Sequence, residues 1–182
     1  MEELKNKQYP SSMETVIRKA LSFYPELEEL EIEFMYSENF KKSVMQAQPR
    51  FVSLLQFWKR RSYIIKIKKQ FTLKGEKIPI EELPEDVLIG WIGHELGHIM
   101  DYRTKNSWAL ILFGIGYLTS RSFIISAERT ADTYAVNHGL GTYILSTKDF
   151  ILHKADMPDR YIKKINKLYL PPEEIIEMME RE

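Results

Sequence analysis

The strongest constraint in this 182-residue sequence is a five-residue stretch at positions 94–98, which reads H-E-L-G-H and has the form H-E-x-x-H. It lies in a run from Pro84 to about Tyr102 that has the composition of a helix. Residues four apart on a helix lie nearly one above the other, so the imidazoles of His94 and His98 project from one face. Two imidazoles placed in this way can occupy two corners of a tetrahedral zinc ion.

Glu95 lies about 100° around the helix from His94, because an α-helix has ~3.6 residues per turn. From that position its carboxylate can flank the open side of the metal and take a proton from water there. The alternative is a helix with two ordinary histidines and no metal. The chain contains only four histidines, and this motif uses two of them, which favours the metal site.

A second segment, Ser126 to Val136, can complete the site, because a catalytic zinc is held by three protein ligands and a water. Glu128 can supply the third ligand. Asp132, one turn later on the same face, can accept the N–H of a ligating imidazole. Alanines at four-residue spacing in this segment would let it pack closely against the motif helix. The alternative is a solvated charged face in which Arg129 is the local ion-pair partner.

Taken together, the two segments resemble the gluzincin zinc peptidases over about residues 78–145. The likeness is to the group that contains the CAAX prenyl proteases and the heat-shock-type membrane peptidases, whose second motif is E-x-x-x-D, and to the short soluble minigluzincins. The resemblance implies a zincin-like fold, one Zn²⁺ per chain and hydrolysis of peptide bonds. By position it implies Glu95 as general base, Asp132 as the carboxylate behind a ligating imidazole, and three metal ligands, His94, His98 and Glu128.

The chain departs from this family at one point. The family has a downstream His-Pro motif, followed by an arginine, whose histidine helps to stabilise the oxyanion. The nearest match here is Met157-Pro158, so the histidine is missing. Such a donor typically contributes ~100-fold or more in rate, and its absence points to a slow or tightly regulated enzyme. Several side chains could replace it, and the sequence does not choose among them: His138, His153, Tyr134, Arg129 and Arg160.

The length of the chain predicts a single domain, residues 1–182, and hydrophobic periodicity predicts both helices and strands, hence an α+β fold. With the zincin-like fold that the resemblance implies, a small three-stranded, mostly antiparallel sheet is expected to pack on a helical bundle that carries the zinc site. The strands are predicted at residues 30–34, 50–58 and 62–69. The last two form a hairpin, which is the expected edge for binding a peptide as an added strand. Residues 35–49 are expected to be irregular, as a short helix or a loop, and residues 71–83 are expected to form a connector. Helices are predicted at residues 12–23, 84–102, 126–136, 143–154, 158–168 and 171–182.

Residues 106–120 form a run of fifteen residues without a charge. The run is shorter than the ~20 residues that a membrane-spanning helix needs. It predicts an apolar helix that packs on the core or shields the cleft. The alternative is peripheral contact with a membrane or with an apolar partner.

Composition narrows the classes of function further. Basic and acidic residues both number 26, so the formal net charge is zero, which argues against nucleic-acid binding as the main role. Cysteine is absent, so any zinc must be held by histidine and carboxylate. The first residues lack the apolar segment of a secretion signal, and a cytoplasmic location is expected, with membrane association as the alternative.

The sequence therefore predicts a zinc metallopeptidase that acts on a peptide or protein substrate. Two alternatives stay open. One is a zinc-binding interaction module with weak or no catalysis, and the other is a regulatory protease specific for one protein partner.

Overall fold

The structure is a computed structural model that describes residues 4–38, 43–55, 61–73, 75–155 and 158–181. Its fold is α+β, as predicted. The strands are β1 (Lys7–Gln8), β2 (Glu31–Tyr36), β3 (Met45–Pro49), β4 (Ser62–Ile67), β5 (Gln70–Leu73) and β6 (Glu76–Pro79). The α-helices are α1 (Glu14–Leu21), α2 (Phe51–Leu55), α3 (Glu85–Arg103), α4 (Ser107–Thr119), α5 (Arg121–Ala135), α6 (Gly141–Asp149), α7 (Asp159–Leu168) and α8 (Pro172–Met179).

Four strands form a mixed sheet in the order β1-β2-β4-β3. Strand β2 is parallel to both β1 and β4, whereas β3 is antiparallel to β4. Strands β5 and β6 form a separate antiparallel hairpin. The predicted three-stranded, mostly antiparallel sheet is therefore wrong in strand number and in strand direction. A two-residue strand such as β1 is too short to show a period of two, so hydrophobic alternation does not reveal it.

The edge of the large sheet also differs from the prediction. Residues 51–55, predicted as part of a strand, form helix α2, and residues 56–60 lie outside the described part of the chain. The edge strand is β3, in a segment that was expected to be irregular. It ends at Pro49, which lacks the N–H that a central strand needs and is therefore tolerated at an edge. The predicted connector at residues 71–83 contains the β5–β6 hairpin, whose turn includes Gly75 at φ 84°.

Helix α3 forms the centre of the molecule. Every residue from Val87 to Tyr102 is buried, as expected for a helix that is largely apolar on all sides. It is contacted by α1, β3, α5 and α6. The helix begins after Pro84 with Glu85 and Asp86 in its first turn, where acidic groups stabilise the positive end of the helix dipole. The prediction of a helix carrying the H-E-x-x-H motif is confirmed.

Helix α4 confirms the prediction of an apolar helix within residues 106–120. Leu110 and Phe113 are buried, while Trp108, Leu112 and Leu118 are exposed. In the described residues no single helix combines the length and the apolar character needed to cross a membrane. Helix α4 and the helical stretch Arg121–Lys154 meet those criteria only as a pair, with a bend of 117° between them.

Candidate metal centre

Three buried side chains converge between α3 and α5. His94 and His98 lie on successive turns of α3, and Glu128 lies on α5; their candidate ligand atoms are all within 4.8 Å of one another. The Nε2 atoms of His94 and His98 are 3.2 and 3.7 Å from the same oxygen, Oε2 of Glu128. Nδ1 of His98 is buried without a hydrogen-bond partner among the described residues. The structure thus brings together the three side chains that the sequence singled out as metal ligands.

Small residues allow α3 and α5 to approach closely. A Cβ atom built on Gly97 would lie 2.3 Å from the backbone oxygen of Ala131. Ala127 and Ala135, on the same face of α5, are buried as well. The alanine spacing predicted this packing, and the glycine inside the motif makes room for it on α3. The position of Glu128 opposite the two imidazoles therefore depends on Gly97.

Asp132 fixes the orientation of the His94 ring. The Nδ1–H of His94 donates to Oδ1 of Asp132 at 2.8 Å, so Nε2 can carry the lone pair that a metal ligand needs. Oδ2 of Asp132 accepts from the backbone N–H of Leu170 at 3.0 Å and from Nζ of Lys148 at 3.2 Å. Lys148 is buried and was not singled out from the sequence, because nothing in its surroundings along the chain distinguishes it from a surface lysine.

The charges around the three side chains favour a cation. Burial alone would lower the pKa of His94, but the hydrogen bonds and charges of Asp132 and Glu128 outweigh it and raise the pKa to about 10. Burial alone would raise the pKa of Glu128, but the two imidazoles outweigh it and lower the pKa well below its usual range. Protonated His94 therefore places a positive charge beside the carboxylates of Glu128 and Asp132. A divalent cation at this place would also supply positive charge. Imidazole nitrogen and carboxylate oxygen are ligands that zinc accepts, so the residues present fit this metal.

Glu95 lies beside the three candidate ligands. Its Oε2 accepts a hydrogen bond from the backbone N–H of Ala47, on the edge strand β3, at 2.5 Å. Burial raises the pKa of Glu95 above its usual range, although His98 and His94 oppose the shift. A carboxylate whose pKa moves toward neutral is better suited to accept a proton. The contact also holds the sheet edge against the motif helix.

Tyrosines surround the cluster, and sequence reasoning missed them. Tyr117 on α4 donates a hydrogen bond to Oε1 of Glu128. The ring centroid of Tyr169 lies 5.2 Å from that of His94. Burial and the charge of Glu128 raise the pKa of both phenols, so their hydroxyls stay protonated and can donate. Tyr117 lies in an apolar run and Tyr169 between two helices, so neither carries a local sign of a polar site.

The side chains predicted as oxyanion donors make their contacts elsewhere. His138 stacks on Tyr24 with ring centroids 4.6 Å apart, and its Nδ1 bonds to the backbone oxygen of Tyr134. The ring of Tyr134 in turn lies 6.3 Å from that of His138. His153 is exposed and pairs with Asp149, four residues before it. None of these contacts connects the side chain to the cluster.

The two predicted arginine donors also have other contacts. Arg129 is 3.6 Å from Glu174 on α8, and Arg160 is exposed and lines a surface cavity with lysines of α7. Met157, which stands where the family has its histidine, lies outside the described residues. The oxyanion role of these side chains stays a prediction that the observed contacts do not support.

A small cavity borders the site. Its volume is about 40 Å³, and its lining includes His94, Glu95, Asp132, Met45 and Tyr169. One water molecule needs roughly 10–15 Å³ of such space, so the cavity has room for only a few waters. An extended peptide would need the surrounding elements to move.

Comparisons with protein-family models, with curated proteins and with solved structures found no match to this chain.

Proposed function

We propose that this chain is a zinc-dependent metallopeptidase of the gluzincin type. In this proposal the motif helix α3, the helix α5 and the edge strand β3 have a zincin-like arrangement. The observation that carries the proposal is the convergence of His94, His98 and Glu128 within 4.8 Å, with Glu95 buried directly beside them. The likeness of both motifs to the gluzincins supports peptide hydrolysis among the reactions open to a site of this kind.

The residues of the chain would hold one zinc ion through two imidazole nitrogens and one carboxylate oxygen. Zinc in this place would supply Lewis-acid chemistry, which polarises a carbonyl and lowers the pKa of water from ~15.7 toward 7. Asp132 keeps the His94 ring in the tautomer that offers Nε2. Glu95 accepts a proton from the attacking water and delivers it to the amine that leaves.

The edge strand β3 supports the same proposal. The backbone N–H of Ala47 bonds to Glu95, so the outer edge of the sheet faces the proposed general base. A peptide that added to β3 as a further strand would therefore bring its carbonyl groups toward Glu95. This assigns to β3 the substrate-binding role that the sequence assigned to the hairpin of residues 50–69.

Two tyrosines take the place of the missing histidine in this proposal. The hydroxyl of Tyr117 already contacts the carboxylate of Glu128, and Tyr169 lies against His94. Both are protonated donors next to the candidate ligands. A preformed donor of this kind stabilises the negative charge that develops on a carbonyl oxygen during attack.

The test is a digest of a peptide library by the purified, zinc-loaded chain, compared with the variant Glu95→Gln. The variant is expected to keep one zinc per chain and to lose turnover by about 10²–10⁴-fold, which is the usual contribution of a general base. Glu85→Gln, an exposed glutamate at the start of the same helix, is the matched control and should cleave normally. Unchanged cleavage by Glu95→Gln would remove the role assigned to this residue.

The second candidate is a zinc-binding module without peptidase activity, and the small volume of the cavity favours it. The same experiment separates the two functions. Stoichiometric zinc without cleavage of any peptide or protein would assign the module. Cleavage of one folded protein, with free peptides left intact, would assign the regulatory protease instead.

A further inference from the structure

Helix α4 exposes a broad apolar surface on the side that faces away from the metal centre. Leu110, Phe113 and Tyr117 point inward, and Tyr117 reaches Glu128. The outer face consists of large apolar side chains, of which Trp108 is 71%, Leu112 65% and Leu118 86% exposed. Ile111 and Ile115 on the same face are also exposed. A continuous apolar surface of this kind marks a place of contact with a partner or a membrane.

A basic cluster lies at the C-terminal end of this face. We define it as Arg121, Arg160, Lys163 and Lys167, which line one surface cavity together with Ile124, Lys164 and Leu168. Arg121 opens α5, whereas the other three lie on α7, which packs against α5. Within the described part of the chain none of the four has an ion-pair partner. The chain as a whole has no net charge, so the cluster is a local concentration of positive charge.

The apolar face and the basic cluster are neighbours. Leu118, the most exposed residue of the face, is three residues from Arg121, so their Cα atoms are less than about 12 Å apart. The helix itself has thirteen residues, or about 20 Å of length, and is shorter than the ~30 Å hydrocarbon layer of a bilayer. It therefore fits along the surface of a bilayer, with the basic cluster at the level of the headgroups.

We propose that the outer face of α4 and the basic cluster together dock this protein onto an anionic lipid bilayer. The apolar side chains enter the boundary between headgroups and acyl chains, with Trp108 at the interface where indole rings are most stable. The cationic side chains pair with the anionic headgroups. This charge complementarity favours a lipid surface over a second copy of the chain, which would place two like-charged clusters together.

The proposal does not depend on the proposed peptidase, and the experiment uses the 182-residue chain with the substitution Glu95→Gln to separate the two. The protein is sedimented with vesicles of phosphatidylcholine alone and with vesicles that contain about 30 mol% phosphatidylserine. Binding is expected to be at least ~10-fold tighter to the anionic vesicles at about 0.1 M salt, and this preference should be lost at about 0.5 M salt because the charges are screened.

Variants assign the binding to the proposed surface. The double variant Leu112→Glu/Leu118→Glu should abolish sedimentation with either vesicle, and Lys163→Glu/Lys167→Glu should remove the preference for anionic lipid. The matched control is Lys69→Glu/Lys77→Glu, two exposed lysines near the β5–β6 hairpin, which should bind like the parent. Circular dichroism of each variant checks that the fold is retained.

A second measurement follows Trp108 directly. Its fluorescence should shift to the blue when anionic vesicles are added, and Trp108→Phe should remove most of the shift. The proposal is overturned if the control lysines matter as much as the cluster, or if the parent shows no preference for anionic lipid. It is equally overturned if the Leu112/Leu118 variant only abolishes self-association of the chain, because the face would then be a contact between copies.

Discussion

At the scale of single residues, the buried pair of Asp132 and Lys148 supports the candidate metal ligand His94, although nothing around Lys148 in the sequence indicates this role. The carboxylate is 1% and the lysine 6% exposed, so water compensates neither charge. One oxygen of Asp132 orients His94, and the other accepts from Lys148 and from the N–H of Leu170. Lys148 thus offsets the negative charge of Asp132, the carboxylate that orients the candidate ligand His94.

Replacement of Lys148 by Met should destabilise the metal-free protein by about 3 kcal/mol. Methionine keeps a side chain of similar length but removes one of the two cationic groups that contact the buried carboxylate of Asp132, the other being protonated His94, and broken buried pairs typically cost this much. The free energy of unfolding in urea, measured with and without zinc, checks the prediction. Zinc should stabilise the variant more than the parent, because the metal centre supplies positive charge near Asp132.

The matched control is Lys154→Met, which removes a lysine that is paired with Asp149 at the surface. Exposed pairs contribute little, so its free energy of unfolding should change by less than about 0.5 kcal/mol. Equal losses in the two variants would mean that Lys148 acts only through general packing or surface charge.

At the scale of elements, the site depends on how closely α5 lies against α3. The two helices meet where Gly97 faces the carbonyl of Ala131, with no space for a methyl group. His94 and His98 lie on α3 and Glu128 lies on α5, so a small separation of the two helix axes moves the third candidate ligand away from the imidazoles.

The variant Gly97→Ala should therefore lose both stability and metal affinity. Its methyl group would overlap a backbone oxygen, and overpacking of this kind costs about 1–3 kcal/mol; zinc binding should weaken by at least ~10-fold.

Gly114→Ala is the matched control, because it makes the same change in α4 where nothing lies within 4 Å of the new atom. That variant should gain roughly 0.5–1 kcal/mol, since alanine favours a helix. Thermal unfolding and a competition titration for zinc measure both effects, and a stabilised Gly97→Ala protein would contradict the close approach.

The elements that carry the site could be predicted because helix spacing is local information. The four-residue spacing within H-E-x-x-H and between Glu128 and Asp132 places side chains on one face of a helix whatever the rest of the chain does. The sheet was harder to predict. Gln46 and Gln48 give β3 a polar appearance, and the short apolar run at residues 51–55 is consistent with a strand or a helix.

Contacts between distant segments could not be read from the sequence. The N–H of Ala47 meets Glu95 across 48 residues, and the N–H of Leu170 meets Asp132 across 38. Such contacts depend on the tertiary packing around α3 and α5, and no periodic pattern encodes them. For the same reason the tyrosines near Glu128 were missed, while the histidines named as donors proved to have partners elsewhere.

At the scale of the whole molecule, α4 has two faces with different partners. Its inner face reaches the candidate metal centre through Tyr117 and Glu128, and its outer face is the apolar surface proposed to meet lipid. A helix that packs with one side and exposes large apolar groups on the other is less firmly held than α3, which is covered on all sides. The small cavity at the site is lined by residues of α3, α5, α6 and α7 and by none of α4, so a shift of α4 would change the contact between Tyr117 and Glu128 rather than the walls of the cavity.

The protonation of the whole site leads to the last prediction, which concerns metal binding as a function of pH. In the metal-free protein the pKa of His94 is raised from 6.5 to about 10, so the ring is protonated at pH 8. The contribution of the protonated His94 ring to the free energy of unfolding of the metal-free protein is complete below pH 6.5 and is lost as pH rises through about 10. Zinc must displace this proton to reach Nε2, because a ligating histidine is neutral.

Zinc binding at pH 8 should therefore release about one proton from His94, and the affinity should rise by about tenfold per pH unit between pH 7 and 9. A histidine with an ordinary pKa would already be neutral there and would give little such change. Calorimetric titrations in buffers of different ionisation enthalpy count the released protons. Asp132→Asn is the control, because loss of the carboxylate lowers the pKa of His94 and should reduce both the proton release and the pH dependence. If the parent released no proton at pH 8, the ion pairs among His94, Asp132 and Glu128 would not control the charge of the centre, and the match between this cluster and a divalent cation would lose its electrostatic basis.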